Sequence, residues 1–288
     1  MFDSPASGLP MTARAQRVDG AARIAFKHEQ DKTRLADLYQ HAPCRFLFPH
    51  TEPDEPTQAV LLTTSGGLTG GDRIAVEIRA GDNSCVTVTT QAAEKLYKAA
   101  DGDEDVSVNI HYHVGHNAWA EWLAQETILF DRARLRRCFT AELAAGARLL
   151  ALESVVFGRT AMNERFDQGL LHDAWRIRRN GRLIWADALH LEGDVAQQRA
   201  MPFGFGRACV TATLLYAGDD AASHLDAVRD LLAADSDLGA ATCMDGLLIV
   251  RFLADDAARL RPLLMRVAGG LRHLATGMRP QLPRVWSC

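Results

Sequence analysis

Apolar and polar residues alternate through most of the first two-thirds of the chain. Ala21 to Glu29, Arg73 to Arg79 and Val106 to Val114 all carry a period of two, which predicts half-buried strands, and Gln58 to Leu62 is a short strand-like run. Cys85 to Thr90 is a β-branched run of the same kind. Ala118 to Leu123, Glu126 to Phe130, Leu135 to Leu143 and Arg148 to Phe157 extend the series. Cys44 to Pro49 reads as extended, Thr33 to Gln40 is ambiguous, and His50 to Pro56 is a surface loop. Short turn signals separate these runs: Asp82-Asn83-Ser84, Gly115-His116-Asn117 (after which the chain is expected to return) and Ala144 to Ala147. Asn180-Gly181, between Trp175 to Arg179 and Arg182 to Asp187, predicts a type I′ hairpin, whose twist matches that of its strands. Roughly a dozen strands with little helix result. Repeated β modules suggest a stacked or helically wound sheet, although no constant repeat period is visible.

The last third has a different period. Cys209 to Tyr216 reads as a strand, and Asp219-Asp220 as the cap of a helix with Leu225, Val228, Leu231 and Leu232 on one face. Asp245-Gly246 joins a short strand to Leu247 to Phe252. A second helix shows Leu260, Leu263, Leu264, Val267, Leu271 and Leu274 on one face, with Pro262 in its first turn or at a kink. Met278 to Trp286 is an extended tail with an apolar anchor, either a strap on the core or a docking segment. The expected fold is mainly β: helically stacked sheets with two helices in the C-terminal third. Residues 1–20 read as a flexible leader, and 21–288 as a single β-rich domain.

Composition removes several classes. Hydrophobic content of 48% is ample for a core, and a net charge of −4 argues against a general nucleic-acid binder. The basic run Arg132, Arg134, Arg136 and Arg137 alternates and fits a solvated face. No apolar stretch is long enough to span a bilayer, and Met1 to Pro10 lacks a secretory pattern, so a cytoplasmic protein without membrane or nucleic-acid partners is expected. The six cysteines form no C-x-x-C pair and match no zinc spacing; they read as small buried groups, apart from an accessible Cys288.

Candidate chemistry is sparse. Thr63-Thr64-Ser65-Gly66-Gly67-Leu68-Thr69-Gly70-Gly71-Asp72 holds two glycine pairs between strands. It lacks the Gly-Lys-Ser/Thr ending and the following helix of a phosphate loop, so it reads as a hairpin with a bulge, or as a docking surface. His111-x-His113-x-x-His116 is the most metal-like group, since positions i and i+2 share a strand face and imidazole suits Ni²⁺, Cu²⁺ or Zn²⁺. Glu121, Glu126 and Glu153 with Asp131 are candidates for acid/base pairs in a cavity. Trp119 and Trp122 read as core. Neither G-x-S-x-G nor H-E-x-x-H occurs.

Four blocks in register carry a resemblance. Ser65 to Asp72 resembles the GG-x-x-GGD signature of the urease accessory protein UreD family (UreH in some species). Thr89 to Tyr97 resembles its TTQAAxKxY stretch, Glu121 to Phe130 its EWLPQETILF, and Gly158 to Glu164 its GRxAxGE. Ala124 replaces the family proline, and Asn163 replaces a glycine. The likeness covers roughly Ala21 to Trp286. It implies a mostly β, helically stacked fold and a non-enzymatic scaffold that binds apo-urease and the UreF- and UreG-type accessory proteins during assembly of the nickel centre. It implies no permanently bound cofactor, only Ni²⁺ in transit, and an internal passage whose candidate lining is Asp72, Glu121, Glu126, Glu153 and Glu164. The matching motif positions Gly66, Gly67, Gly70, Gly71, Thr89, Gln91, Lys95, Tyr97, Trp122, Gln125 and Arg159 are expected to build or dock the scaffold. The alternatives are a metal-dependent hydrolase on a β-helical scaffold and a nickel-storage protein using the histidines.

Overall fold

The computed structural model describes residues 17–52 and 54–287. The first half of the chain runs β1 (Asp19–Glu29), β2 (Lys32–His41), β3 (Cys44–Leu47), β4 (Thr57–Thr63), β5 (Arg73–Ala80), β6 (Cys85–Thr90), β7 (Glu94–Leu96) and β8 (Val106–Val114). It continues with β9 (Trp119–Leu123), β10 (Thr127–Leu129), β11 (Arg134–Leu143), β12 (Arg148–Phe157), β13 (Gln168–Arg179) and β14 (Arg182–Asp194). The rest comprises α1 (Val195–Ala200), β15 (Val210–Ala217), α2 (Leu225–Leu232), β16 (Gly239–Met244), β17 (Leu247–Ala254) and α3 (Ala257–Thr276).

The strands form two mixed sheets. A seven-stranded sheet has the order β14-β13-β11-β8-β5-β1-β2. A ten-stranded sheet runs β16-β17-β15-β12-β9-β6-β4-β3, with β7 and β10 attached beside β12. From β4 to β13 the chain passes alternately between them, and each strand lies parallel to the one a full turn away. The expectation of helically wound sheets holds. Arg73 faces Ser107, and Ser107 faces Arg136, intervals of 34 and 29 residues. The other sheet repeats them: Cys85 faces Trp119, and Trp119 faces Arg148. Loops of unequal length between rungs are why no constant period shows in the sequence.

This winding overturns two local readings. The glycine stretch is not a hairpin, because β4 and β5 belong to different sheets. It is a corner, tied by backbone bonds from Leu68 N–H to the Lys95 carbonyl and from Tyr97 N–H to the Leu68 carbonyl, both 2.8 Å. Gly67 (φ 139°) makes the corner possible: a Cβ there would lie 2.5 Å from the Tyr97 ring. Gly115-His116-Asn117 likewise carries the chain from one sheet to the other and does not fold it back. Where strands do turn back, the chemistry is as expected. Arg179 pairs with Arg182 across Asn180 (φ 50°) and Gly181 (φ 77°).

Two apolar cores follow from the layers. One fills the space between the sheets, with Ile78, Tyr112, Phe139, Leu149 and Ile177 fully buried. The other lies between the outer face of the ten-stranded sheet and the helices, with Leu152, Tyr216, Val228, Leu264 and Leu271. Leu274 lies off that face and is 39% exposed. The expected helices are α2 and α3, but Asp220 does not cap α2 with its side chain. A 3-10 turn (Ala221–His224) precedes α2, and the Asp220 carboxylate instead accepts from Tyr216 Oη (2.6 Å) and contacts His224 Nε2 (3.1 Å). A third, short helix, α1, was not expected, although Asp194 caps it by accepting from Gln197 N–H at 2.8 Å.

The ends also differ from expectation. β1 begins at Asp19, and Val18 N–H donates to Asp72 at 2.7 Å, so the last residues assigned to a leader belong to the fold. Residues 1–16 and Cys288 lie outside the described residues. The tail is a strap: Trp286 is 1% exposed, and its indole N–H donates to Thr89 Oγ1 at 3.1 Å. The docking reading of the tail is therefore corrected. Ambiguous Thr33 to Gln40 is edge strand β2. The other cysteines are buried or half-buried free thiols.

Candidate functional site

Three strands each carry one charged side chain in their apolar, inward-facing row. On β12 the inward series is Ala151, Glu153, Val155 and Phe157; on β11 it is Leu135, Arg137, Phe139 and Ala141; on β13 it is Leu171, Asp173, Trp175 and Ile177. Strand alternation thus sends one charged side chain from each strand into the space between the sheets. The structure brings the three together. Arg137 donates to Asp173 twice, from Nε at 2.8 Å and from Nη2 at 2.6 Å, and its Nη1 donates to Thr127 Oγ1 at 2.9 Å. Trp122 Nε1 donates to Glu153 Oε1 at 3.0 Å. Glu153 Oε2 lies 3.4 Å from Arg137 Nε but has no hydrogen-bond partner.

The cluster thus sets two buried carboxylates against one guanidinium. Burial pushes the Glu153 carboxyl up to about 7, with Arg137 opposing the rise and Asp173 adding to it. Burial acts to lower the Arg137 value, but Asp173 and Glu153 outweigh it and hold the guanidinium charged. A carboxylate with one oxygen unsatisfied, beside a second carboxylate, can accept a proton or a cation.

Glu153 forms a wall shared by two cavities. One, of about 80 Å³, lies between the sheets and is lined by Glu153, Arg137, Trp122, Thr127 and Glu94. The other, of about 450 Å³, is a cleft lined by Glu153, Asp173, Asp187, Thr213 and Arg251. On the opposite side, a cavity of about 240 Å³ at the glycine corner shares Leu61, Thr63, Thr90 and Glu94 with the inner one. Glu94 accepts from Thr63 Oγ1 at 2.9 Å, and burial raises its pKa against that bond. Glu94 and Glu153 therefore each line two of three adjoining cavities.

Of the five acids expected to line a passage, Glu153 lines these cavities. Glu121 lies on the opposite face of the ten-stranded sheet, where it accepts from Arg272 (Nε at 2.7 Å, and Nη2), Thr87 and Trp119. Asp72 caps the glycine corner, accepting from Thr69 N–H at 2.8 Å as well as from Val18. Glu126 pairs with Arg261 at 2.6 Å, and Glu164 pairs with Arg159 at 2.5 Å. Asp131, a candidate acid/base partner, accepts from the N–H groups of Asp167 and Gln168 instead. The acids thus do not converge into a hydrolytic set. The histidines do not converge either. His111 and His113 point outward from β8, and His116 sits in a turn. Among the described residues, no group of three or more His, Cys, Asp or Glu is placed to hold a metal ion. Burial and Arg79 lower the pKa of His113, partly offset by Glu77.

The motif positions sort by location. Thr89 Oγ1 donates to the Leu123 carbonyl at 2.6 Å, and Gln125 Nε2 reaches the carbonyls of Gln91 and Val285, both at 2.9 Å. The bond to Val285, with that of Trp286 to Thr89, holds the strap to the sheet. Trp122 holds Glu153. Gly66, Gly67, Gly70 and Gly71 shape the corner; Tyr97 Oη donates to the Gly66 carbonyl at 3.0 Å. Lys95 is exposed beside it. Arg159 lies over the Phe130 ring, 4.2 Å from its centroid, on the same exposed surface. Asn163 has φ 55°, the left-handed region suited to the glycine it replaces and tolerated by asparagine. Ala124 spends its N–H, which proline lacks, on the Leu152 carbonyl at 3.2 Å.

Arg137, Asp173 and Glu94 escaped the sequence reading. Arg137 alternates with the solvated Arg132, Arg134 and Arg136, and Asp173 precedes the strand signal of Trp175 to Arg179. The available signal was a lone charge at an apolar position of the alternation.

No helix among the described residues is long and apolar enough to cross a membrane. A family model described as UreD urease accessory protein matches residues 18–287. The chain is 42% identical over 287 residues to a urease accessory protein UreD of Magnetococcus marinus, covering 98% of each. It is 43% identical over 274 residues to one of Rhizobium leguminosarum bv. trifolii, covering 95% of this chain and 97% of that one. Taken with the wound double sheet, these matches establish that the chain belongs to the UreD family of urease accessory proteins.

Proposed function

We propose that this protein is a scaffold for urease maturation in the cytoplasm, acting on apo-urease together with the UreF- and UreG-type accessory proteins. It is an accessory protein and not the catalyst. Ni²⁺ is cargo, not a resident cofactor. The observation that carries the passage reading is the line of cavities sharing Glu94 and Glu153, with Asp173 beyond. Isolated carboxylates and water bind nickel weakly compared with imidazole or thiolate, as transit requires. Arg137 sits between the two carboxylates, bonded to Asp173 and 3.4 Å from Glu153.

Co-expression with apo-urease and the UreF- and UreG-type proteins, followed by size exclusion with light scattering, tests the scaffold. Stoichiometric complexes are expected. A chain that stays folded and alone with every partner present would contradict the reading. Urease nickel content with Glu94→Ala or Asp173→Asn in the same complexes tests the passage.

A further inference from the structure

A second metal-related feature lies outside these cavities and independent of them. β13 and β14 pair antiparallel, and His172 lies directly opposite His190. Opposed residues of an antiparallel pair project to the same side. The two ring centroids lie 5.4 Å apart, with their planes inclined by 67°. His190 is exposed and His172 half-buried.

The spacing can be compared with a shared ion. With a metal about 2.0 Å from each ring nitrogen and about 1.1 Å more to each centroid, two imidazoles sit about 5 Å apart at a tetrahedral angle and about 4.5 Å apart at a right angle. The observed 5.4 Å lies a few tenths of an ångström beyond the first spacing and about 1 Å beyond the second, a gap that side-chain rotation would have to close.

The surrounding charge permits a cation. Glu192 Oε2 lies 3.5 Å from His190 Nε2. Arg136 faces His172 across β11 and β13, but its Nε is bound to Asp105 at 2.7 Å. Arg134 bridges Asp105 (2.5 Å) and Glu192 (3.2 Å). The two guanidiniums are balanced by two carboxylates.

We propose that His172 and His190 form a two-imidazole site for a divalent first-row transition ion on the outer face of the seven-stranded sheet. Imidazole suits Ni²⁺, Cu²⁺ and Zn²⁺, and two protein ligands completed by water give an exchangeable site.

The test titrates the full chain with NiCl₂ by calorimetry and with Cu²⁺ by electron paramagnetic resonance. One saturable ion is expected, with nitrogen couplings from two imidazoles in the copper spectrum. His172→Gln and His190→Gln should each weaken Ni²⁺ binding by about tenfold or more. The double variant His111→Gln/His113→Gln should leave it unchanged. An isotherm unaltered by His190→Gln, or lost instead in the His111/His113 variant, would overturn the site. Should His172→Gln disturb the fold by circular dichroism, the His190 variant and the wild-type copper spectrum decide.

Discussion

Glu121 and Glu153 stand on adjacent strands of one sheet, both buried, and face opposite ways. Glu121 points toward α3 and has every oxygen engaged by Arg272, Thr87 and Trp119. Glu153 points between the sheets, with one indole N–H on Oε1 and no hydrogen bond on Oε2. Both sit near a tryptophan of the same strand: Trp119 serves one and Trp122 the other, because alternation separates them. A fully bonded buried carboxylate ties layers together. A half-bonded one beside a second carboxylate costs the fold stability, which the proposed passage would account for.

Breaking the comparison on the Glu121 side should cost most. Glu121→Ala leaves the Arg272 guanidinium, 3% exposed, without its carboxylate. Removing one partner of a buried pair destabilises by about 3–5 kcal/mol. For a chain of this size that corresponds to a Tm lower by on the order of 10 °C in calorimetry. Trp286→Ala removes the indole that packs in the same outer core and bonds Thr89. A loss of about 3 kcal/mol or more is expected by denaturant titration.

The Glu153 side should respond with the opposite sign. Its folded pKa, about 7, lies above the ordinary carboxyl value of 4.5. Ionisation is therefore easier in the unfolded chain, and the wild type loses stability as pH rises through that interval. Glu153→Gln should be more stable than wild type by about 2–3 kcal/mol at pH 8, with the gain shrinking toward zero near pH 4.5. Urea titrations at the two pH values read this directly; a destabilised variant at pH 8 would show that the ionised carboxylate is a net structural asset. The smallest effect belongs to the exposed motif position. Arg159→Ala removes a surface pair with Glu164 and a ring contact with Phe130. Its melting temperature should stay close to that of the wild type, while binding to the partner proteins in co-purification should weaken if that surface docks.

The strands were legible because period-two alternation survives wherever one face is apolar, and Asn180-Gly181 fixed its hairpin through turn chemistry alone. The winding was less legible. A glycine corner and a hairpin both read as glycine between strands, and only the pairing partners of β4 and β5 separate them. Glu153 was singled out among the acids, but Glu121 was placed beside it because strand parity does not say which face meets the other sheet when both faces are buried. Arg137 and Asp173 were readable in principle as charges at apolar positions, since Leu135-x-Arg137-x-Phe139 and Leu171-x-Asp173-x-Trp175 share one pattern. The strap through Trp286 depends on bonds to Thr89, Gln125 and Arg261, far away in sequence, which no local pattern carries.

The most direct measurement is the nickel content of urease matured in complexes containing wild-type protein or Glu153→Gln, with complex stoichiometry checked by light scattering. The account predicts intact complexes and a several-fold lower nickel content with Glu153→Gln. Nickel loading equal to wild type in equally occupied complexes would contradict a role for this carboxylate in the passage.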